Sequence, residues 1–485
     1  MRQLRTLALS LLVVVHVPEL RTNSRMINEA YRIAVGDLLG NVAPYQAGLL
    51  AAPAPVIFAG LRYYMPWTRD AAINAWNGST IILPDVTRDT LLSVLVSEYG
   101  TAYIGDGGNT QYWDVMVWTT GAWYHYLNTG DREFLALAYS ATTNTLERLE
   151  RNEFDPADGL FRGPGWSDGV AGYPSEYANS GGESGIHHWP RFNPGKVAPQ
   201  GYGIPMKALS TNCLYYAAYV TAAAMAKELA LPARPEYAER ADKLKQAINR
   251  NFWMPEAGHY RYIVGPLGNS DQQEALGQAY AVLFGITSPV QTAEILRNQP
   301  VQPAGVPAVW PDFPRYQQPD GNAFSRHAGA VWPQIQGMWA SAGAAYGNSS
   351  ILGHELFQLA AHAVRDKQFA ELYHPLSGEI YGGMQERPGK GIVLWDSLPR
   401  QTWAATAFIR MMIFNVAGLT PGPDGLRFRP CLPAGLTKVE LRDLEYRGMT
   451  LNITVEGAGC KARPANTFLP YSTTGRQDVR IVVSE

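Results

Sequence analysis

The sequence predicts a mainly α-helical fold, a toroid of paired helices carrying a small β appendage at its carboxyl end. Apolar positions recur at helical spacing in about a dozen segments, mostly in hairpin-like pairs. Long loops rich in Gly, Pro and aromatic residues fall between the pairs, and at Gly418 the texture changes to short alternating runs. The self-similarity of a helical solenoid is not visible, which favours a closed ring over an open one. The expected divisions are an amino-terminal segment (1–24), a helical body (25–417) and a β appendage (418–485).

Ile27, Ala30, Tyr31, Ala34 and Leu38 mark an amphipathic helix ended by Gly40-Asn41. Tyr63-Tyr64-Met65-Pro66-Trp67-Thr68-Arg69-Asp70 is expected to open a short helix through Asn77, and Asp85 to cap a helix through Leu91, Leu92 and Leu95 that stops at Gly100. A helix from Asn109 to Asn128 should stop at Gly130, with Asp131 starting the next, to about Leu149. Pro205 is expected to begin an apolar helix containing Cys213, Tyr215 and Tyr216, followed by one through Tyr237, Ala241, Leu244 and Ile248. Shorter helices fit Gln272 to Phe284 and Pro289 to Asn298. After an aromatic loop, others fit His327 to Tyr346, Ile351 to Arg365 and Pro399 to Val416. Beyond the turn cluster Thr420 to Gly425, Leu426 to Arg429, Val439 to Leu444, Leu451 to Val455 and Val479 to Val483 read as strands. They are too few to stand alone and should pack on the helical body.

Charged residues make up 17% of the chain and the net charge is -2, so no basic field is available to hold nucleic acid or an anionic membrane. The 13 Trp and 26 Tyr exceed what a core of this size needs and suit the flat C–H faces of sugar rings. Cys213, Cys431 and Cys460 show neither metal-site spacing nor a disulfide framework and are expected to be buried thiols. Leu7 to Val15, behind Arg2 and Arg5, is too short to span a bilayer and fits either a secretory signal or a buried first element. Cytoplasmic and exported locations both follow, and oligomeric state is left open.

The segment from Asn152 to Pro205 has no sustained period, yet it holds Trp166, Tyr173, Tyr177, His187, His188, Trp189 and Phe192 beside Asp168, Glu176 and Glu183. A long loop in a compact domain is functional or disordered, and disorder is poor in aromatics. Hydrolysis of a glycosidic bond needs two carboxyl groups, one to protonate the leaving oxygen and one to activate water or attack carbon. Four aromatic clusters carry acids: Trp67-Thr68-Arg69-Asp70, Tyr112-Trp113-Asp114, Gly165-Trp166-Ser167-Asp168-Gly169, and Phe369 to Glu379 around Glu371. Their plainer readings are a helix-capping Asp70 with a surface arginine, a core-packed Asp114, and a solvated Glu371 at a helix end. Asp168 has no capping duty.

The order of these segments resembles the six-hairpin, (α/α)6-barrel glycosidases, above all glycoside hydrolase family 63 α-glucosidases and the amylo-α-1,6-glucosidase domains of debranching enzymes. Trp67 to Asp70 resembles the arginine-aspartate motif of that group, and Trp166-Ser167-Asp168 the stretch that carries its general acid. Tyr112 to Asp131 is similar to its aspartate-to-TGD segment. Arg326 to Pro333 is similar to its "HNG-x-WP" segment with Ala328 in place of asparagine. Glu371-Leu372-Tyr373-His374-Pro375-Leu376-Ser377-Gly378 is similar to the segment whose glutamate is the general base, and Gln401 to Ala405 to the helix behind it. Relatives usually carry an amino-terminal β-sandwich, for which there is no room before Ile27, and Tyr177 to Gln200 matches no segment of the group.

The resemblance implies an inverting exo-glycosidase acting on an α-linked oligosaccharide or glycoside, an α-glucosidase first of all, with Asp168 as acid and Glu371 as base. Their carboxyls should stand about 6.5–9.5 Å apart, leaving space for water. Trp67, Tyr112, Trp166 and Trp395 are expected to stack on the sugar or wall it in, and Arg69, Asp70 and Asp114 to hold its hydroxyls. Trp113, His327, Trp332 and Tyr373 complete the candidate binding set. The scheme implies no metal and no redox cofactor. Three alternatives stay open: an inverting phosphorylase on the same barrel, a non-catalytic carbohydrate-binding protein, and a lyase or epimerase using His187, His188 or His327.

Overall fold

The computed structural model describes residues 16–106, 113–179, 183–232, 234–463 and 467–485. Among these, six helices form an inner ring: Thr68–Asn74, Val117–Thr129, Leu209–Glu228, Ala275–Leu283, Pro333–Ala345 and Thr402–Arg410. Each packs on the next, and Thr402–Arg410 closes back onto Thr68–Asn74. Six others lie outside: Arg25–Gly40, Pro84–Ser93, Arg132–Glu153, Pro235–Phe252, Pro289–Asn298 and Ser349–Asp366. The closed ring decides for the toroid and against the solenoid.

Charge sorts the two rings. Val117–Thr129, Ala275–Leu283 and Pro333–Ala345 contain no Asp, Glu, Lys or Arg, whereas Arg132–Glu153 and Pro235–Phe252 carry charges on one face. A helix without a polar face can be stable only when covered all round, and an amphipathic one belongs at the surface. Small residues allow the inner helices to touch: a Cβ on Gly121 would lie 2.5 Å from the Ala72 carbonyl oxygen, so only glycine admits this approach.

Several boundaries differ from expectation. Pro84, not Asp85, starts its helix, which ends at Ser93 because Leu95–Glu98 and Thr101–Ile104 form a hairpin. The Pro205 helix begins at Leu209, since Lys207–Ala208 pairs with Ile263–Val264. The His327 helix begins at Pro333, leaving His327 in a turn. Residues 107–112, including Tyr112 and the expected start at Asn109, lie outside the described residues, and that helix is seen from Val117 to its left-handed stop at Gly130. Asp131 caps the next helix by accepting the Phe134 N–H at 2.9 Å, as expected.

The carboxyl end forms a mixed five-stranded sheet in the order Glu19–Thr22, Lys438–Tyr446, Met449–Gly457, Gly475–Ser484, Lys461–Arg463. Met449–Gly457 alternates buried and half-buried residues, the period-two signature of a sheet covered on one face. A three-stranded sheet joins Leu419–Pro421, Gly425–Phe428 and Phe468–Pro470. Glu19–Thr22 is thus an edge strand, with Leu20 opposite Leu441, and residues 1–15 lie outside the described set. The assembly seats on the inner-helix carboxyl ends, where Tyr446 and Tyr471 both donate to the Leu127 carbonyl at 3.2 Å. One cysteine expectation is overturned: Cys431 and Cys460 form a disulfide, and only Cys213 is a buried free thiol. The two partners stand 29 residues apart, and only the packing of the Cys431 turn beside Cys460 joins them.

Candidate active site

Loops leading from an outer helix to the next inner one gather at the amino ends of the inner ring. They enclose a cavity of about 630 Å3, within the range of small-molecule sites. Trp67, Trp332 and Gln401 immediately precede inner helices, and all three line it. Asp168 lies between Arg132–Glu153 and Leu209–Glu228, and Glu371 between Ser349–Asp366 and Thr402–Arg410. Both carboxylates line the cavity, from different sides of the ring.

The Asp168 loop is held by its own small core. Val170, Tyr173, Tyr177, Ile186 and Trp189 are buried together with Tyr262, Phe313 and Tyr316. Much of the aromatic content that suggests sugar binding in the sequence is therefore spent on ordering the loop. Trp166 instead lines the cavity, edge-on to Trp332 at 4.8 Å. Tyr173 donates to the Ser167 carbonyl at 2.8 Å, Ile186 N–H to the Asp168 carbonyl at 3.0 Å, and Arg315 to the Val170 carbonyl. Glu386 in turn accepts from the Tyr316 hydroxyl at 2.7 Å, tying this loop to the hairpin Met384–Arg387 and Gly391–Leu394. That hairpin adds Gln385, Arg387, Val393 and Leu394 to the lining.

Arg69 is the electrostatic hinge. Its guanidinium is buried, pairs with Asp114 behind the cavity and donates to Asp168 Oδ1 at 2.9 Å. Burial opposes its charge, but Asp114 and Asp168 more than offset this and raise its pKa. The Asp168 side chain is 40% exposed, whereas that of Glu371 is 3% exposed. Glu371 Oε1 accepts from the Tyr63 hydroxyl at 2.8 Å; Oε2 accepts from Arg326 at 2.8 Å and from Leu398 N–H at 3.0 Å. Three donors converging on one buried carboxyl fix its orientation in the cavity. Burial, with the Glu371 charge beside it, pushes the Tyr63 phenol up.

Asp70 is the carboxyl of the site that burial shifts furthest towards its neutral form. Burial raises it to about 8, Arg69 opposes the shift, and the charges of Asp168 and Glu371 add to it. Asp114 rises to about 7 through burial, again opposed by Arg69. His327 is buried and held well below the usual imidazole value by that burial and by Arg326 and Arg69, so it is a neutral ring stacked on Trp332. Several buried polar atoms on the lining residues have no protein partner. They include Trp67 Nε1, Asp70 Oδ1, Trp166 Nε1, His327 Nδ1 and Gln385 Oε1. Buried polar groups are nearly always satisfied, so such a cluster suits a ligand rich in hydroxyls. No group of His, Cys, Asp and Glu that could hold a metal occurs among the described residues.

These protonation states have a stability consequence. Unfolded carboxyls titrate near 4, whereas Asp70 is held at about 8 and Asp114, Glu153 and Glu274 at about 7, mainly by burial. Between those limits the folded chain holds protons that the unfolded chain has released, so stability falls as pH rises. His125 and His362, held down to about 4 by burial, act in the opposite sense only below about pH 6.5. The melting temperature is therefore expected to fall from pH 6.5 to about 8.5, and Asp70→Asn to flatten that fall. A melting curve that climbs across this window would contradict the assignment.

The candidates named from sequence divide in the structure. Trp67, Arg69, Asp70, Trp166, Asp168, His327, Trp332, Glu371 and Trp395 line the cavity. Trp113, Asp114 and Tyr373 do not: Trp113 packs edge-on to Tyr202, Asp114 holds Arg69, and the Tyr373 hydroxyl accepts from Ala370 N–H at 3.0 Å. Tyr63, Arg326, Gln385, Arg387, Gln401 and Trp403 also line it without having been singled out as binding residues. Tyr63 lay inside the stretch expected to open a helix, and Arg326, Gln401 and Trp403 inside segments similar to the six-hairpin glycosidases, whereas nothing local points to Gln385 or Arg387.

Comparison with known proteins agrees with this architecture. Among solved structures, a protein titled sialidase superposes with a TM-score of 0.65 at 14% identity, over 94% of this chain and 40% of that one. A GH78 family rhamnosidase from a Bacillus species gives 0.54 at 14% identity, over 96% and 44%. The chain thus spans less than half the length of these two proteins. A GH63 mannosylglycerate hydrolase from Thermus thermophilus, solved with glucose, gives 0.55 at 15% identity, over 79% of this chain and 99% of that one. No curated protein matches the sequence. The family described as mannosylglycerate hydrolase MGH1-like glycoside hydrolase domain matches residues 63–389, about two thirds of the chain and most of the cavity lining, Asp168 and Glu371 included. The chain belongs to this MGH1-like glycoside hydrolase family, on a six-hairpin (α/α)6 fold.

Proposed function

We propose that this glycoside hydrolase is an inverting, exo-acting enzyme that releases one sugar from an α-linked glycoside or oligosaccharide, with α-glucosides as first choice. The observation that carries the reading is the placement of Asp168 and Glu371 on one aromatic-walled cavity. Asp168, once it has taken up a proton, gives it to the leaving oxygen; Glu371 takes the proton of the attacking water. Asp70 enters as a neutral carboxyl and can donate a hydrogen bond to a sugar hydroxyl as well as accept one. Trp67, Trp166 and Trp332 wall the sugar, and Trp395 closes the rim together with the hairpin.

A second substrate reading is a mannosylglycerate-type glycoside, as in the name of the family. It is favoured by Arg387 on the cavity lining, for which no carboxylate partner occurs among the described residues and which could meet an acidic aglycone. Hydrolysis of α-glucosides, α-mannosides, α-rhamnosides and mannosylglycerate, followed by proton NMR from the first turnovers, tests both readings. The first sugar released is expected to be the β-anomer. An α-anomer would exclude inversion, and cleavage only with added phosphate would establish a phosphorylase instead.

A further inference from the structure

Among the described residues four arginines are buried, and three have a carboxylate partner: Arg69 has Asp114 and Asp168, Arg162 has Asp155, and Arg326 has Glu371. Arg410 is the exception. It ends the inner helix Thr402–Arg410, at the far end of the barrel from the active site, and is only 6% exposed. Its Nε donates to Ser341 Oγ at 2.8 Å and its Nη1 to the Trp76 carbonyl at 3.2 Å; the guanidinium also lies over the Trp76 ring at 4.6 Å. Nη2 has no protein partner among the described residues. Burial holds its pKa down to about 10, with no carboxylate to restore it.

This cation borders a cavity of about 390 Å3 between the carboxyl ends of the inner helices and the carboxyl-terminal strands. Arg429, an exposed residue, also lines it and likewise has no carboxylate partner among the described residues. Ser341, Asn415 and Thr420 supply polar side chains, and no Asp or Glu of the described residues lines the space. A buried charge without a counter-ion is costly, and two arginines lining one space free of Asp and Glu among the described residues suit an anion. We propose that this cavity is an anion site that takes a phosphate group, free or as a monoester, held between Arg410 and Arg429. Its occupant would bridge the barrel to the β assembly and stabilise that junction.

The test uses the full chain in phosphate-free buffer at constant ionic strength, with chloride as control. Inorganic phosphate and glucose 6-phosphate are titrated by calorimetry and by thermal unfolding; stronger binding of the second would identify a monoester site, and equal binding an ion site. Phosphate is expected to raise the melting temperature saturably by about 1–3 °C. Arg429→Gln should weaken binding at least about fivefold, the scale on which a charge-assisted hydrogen bond is lost. Arg410→Met should abolish it, and should that variant fail to fold, Arg429→Gln decides. A shift equalled by chloride, or binding undiminished in Arg429→Gln, overturns the proposal, the latter because the phosphate would then sit elsewhere, as in the arginine-lined active site.

Discussion

Asp168→Asn is expected to lower kcat on an unactivated glycoside by about 10^3-fold, within the range that general acid catalysis supplies, while leaving the fold intact. The partner it weakens, Arg69, keeps Asp114 on its other side, and the Asp168 side chain is 40% exposed. The diagnostic is the leaving group. Fluoride departs without protonation, so the variant should cleave the matching glycosyl fluoride within about tenfold of wild type. A uniform loss on both substrates would indicate distortion of the site rather than loss of an acid. A specific competitor exists in Asp70, the carboxyl held at about 8. If Asp70→Asn, and not Asp168→Asn, shows the leaving-group dependence, the acid is Asp70.

Glu371→Gln is expected to cost a comparable factor, about 10^3 in kcat, by a different route. The amide keeps a single acceptor oxygen, so it can accept from Tyr63 or from Leu398 but not from both, and it cannot take a proton from water; Arg326 also loses the opposite charge 2.8 Å away. Uncoupling a buried pair also destabilises, so a lower melting temperature should accompany the loss, moderated by the Arg326 bonds to the Gly382 and Asp396 carbonyls at 2.7 and 3.0 Å. Azide needs no base, and with an α-glycosyl fluoride it should restore turnover and give the β-glycosyl azide. Formation of the α-azide, or no rescue in a folded variant, would remove Glu371 from the base role.

Much of the framework was legible because helices are encoded locally. Asp131 caps its helix and Gly130 ends the one before, and each signal involves residues within one turn. Hidden from local reading was anything requiring distant segments to meet. Leu95–Glu98 looked helical because it continues an apolar run, yet pairing with Thr101–Ile104 makes it a strand. Tyr373 sits two residues from Glu371 and points into the packing, whereas Gln385 reaches the cavity through a hairpin fold-back.

By itself, the sequence determined that paired helices alternate with long loops and that aromatic clusters carry acids at 70, 114, 168 and 371, because periodicity and capping act over a few residues. Only the tertiary structure decided which of those acids share a cavity, that Asp114 serves Arg69 from behind, and that burial raises Asp70 towards its neutral form. The reason is physical: protonation and partnership depend on burial and on charges a few ångströms away, and those distances exist only after the ring has closed.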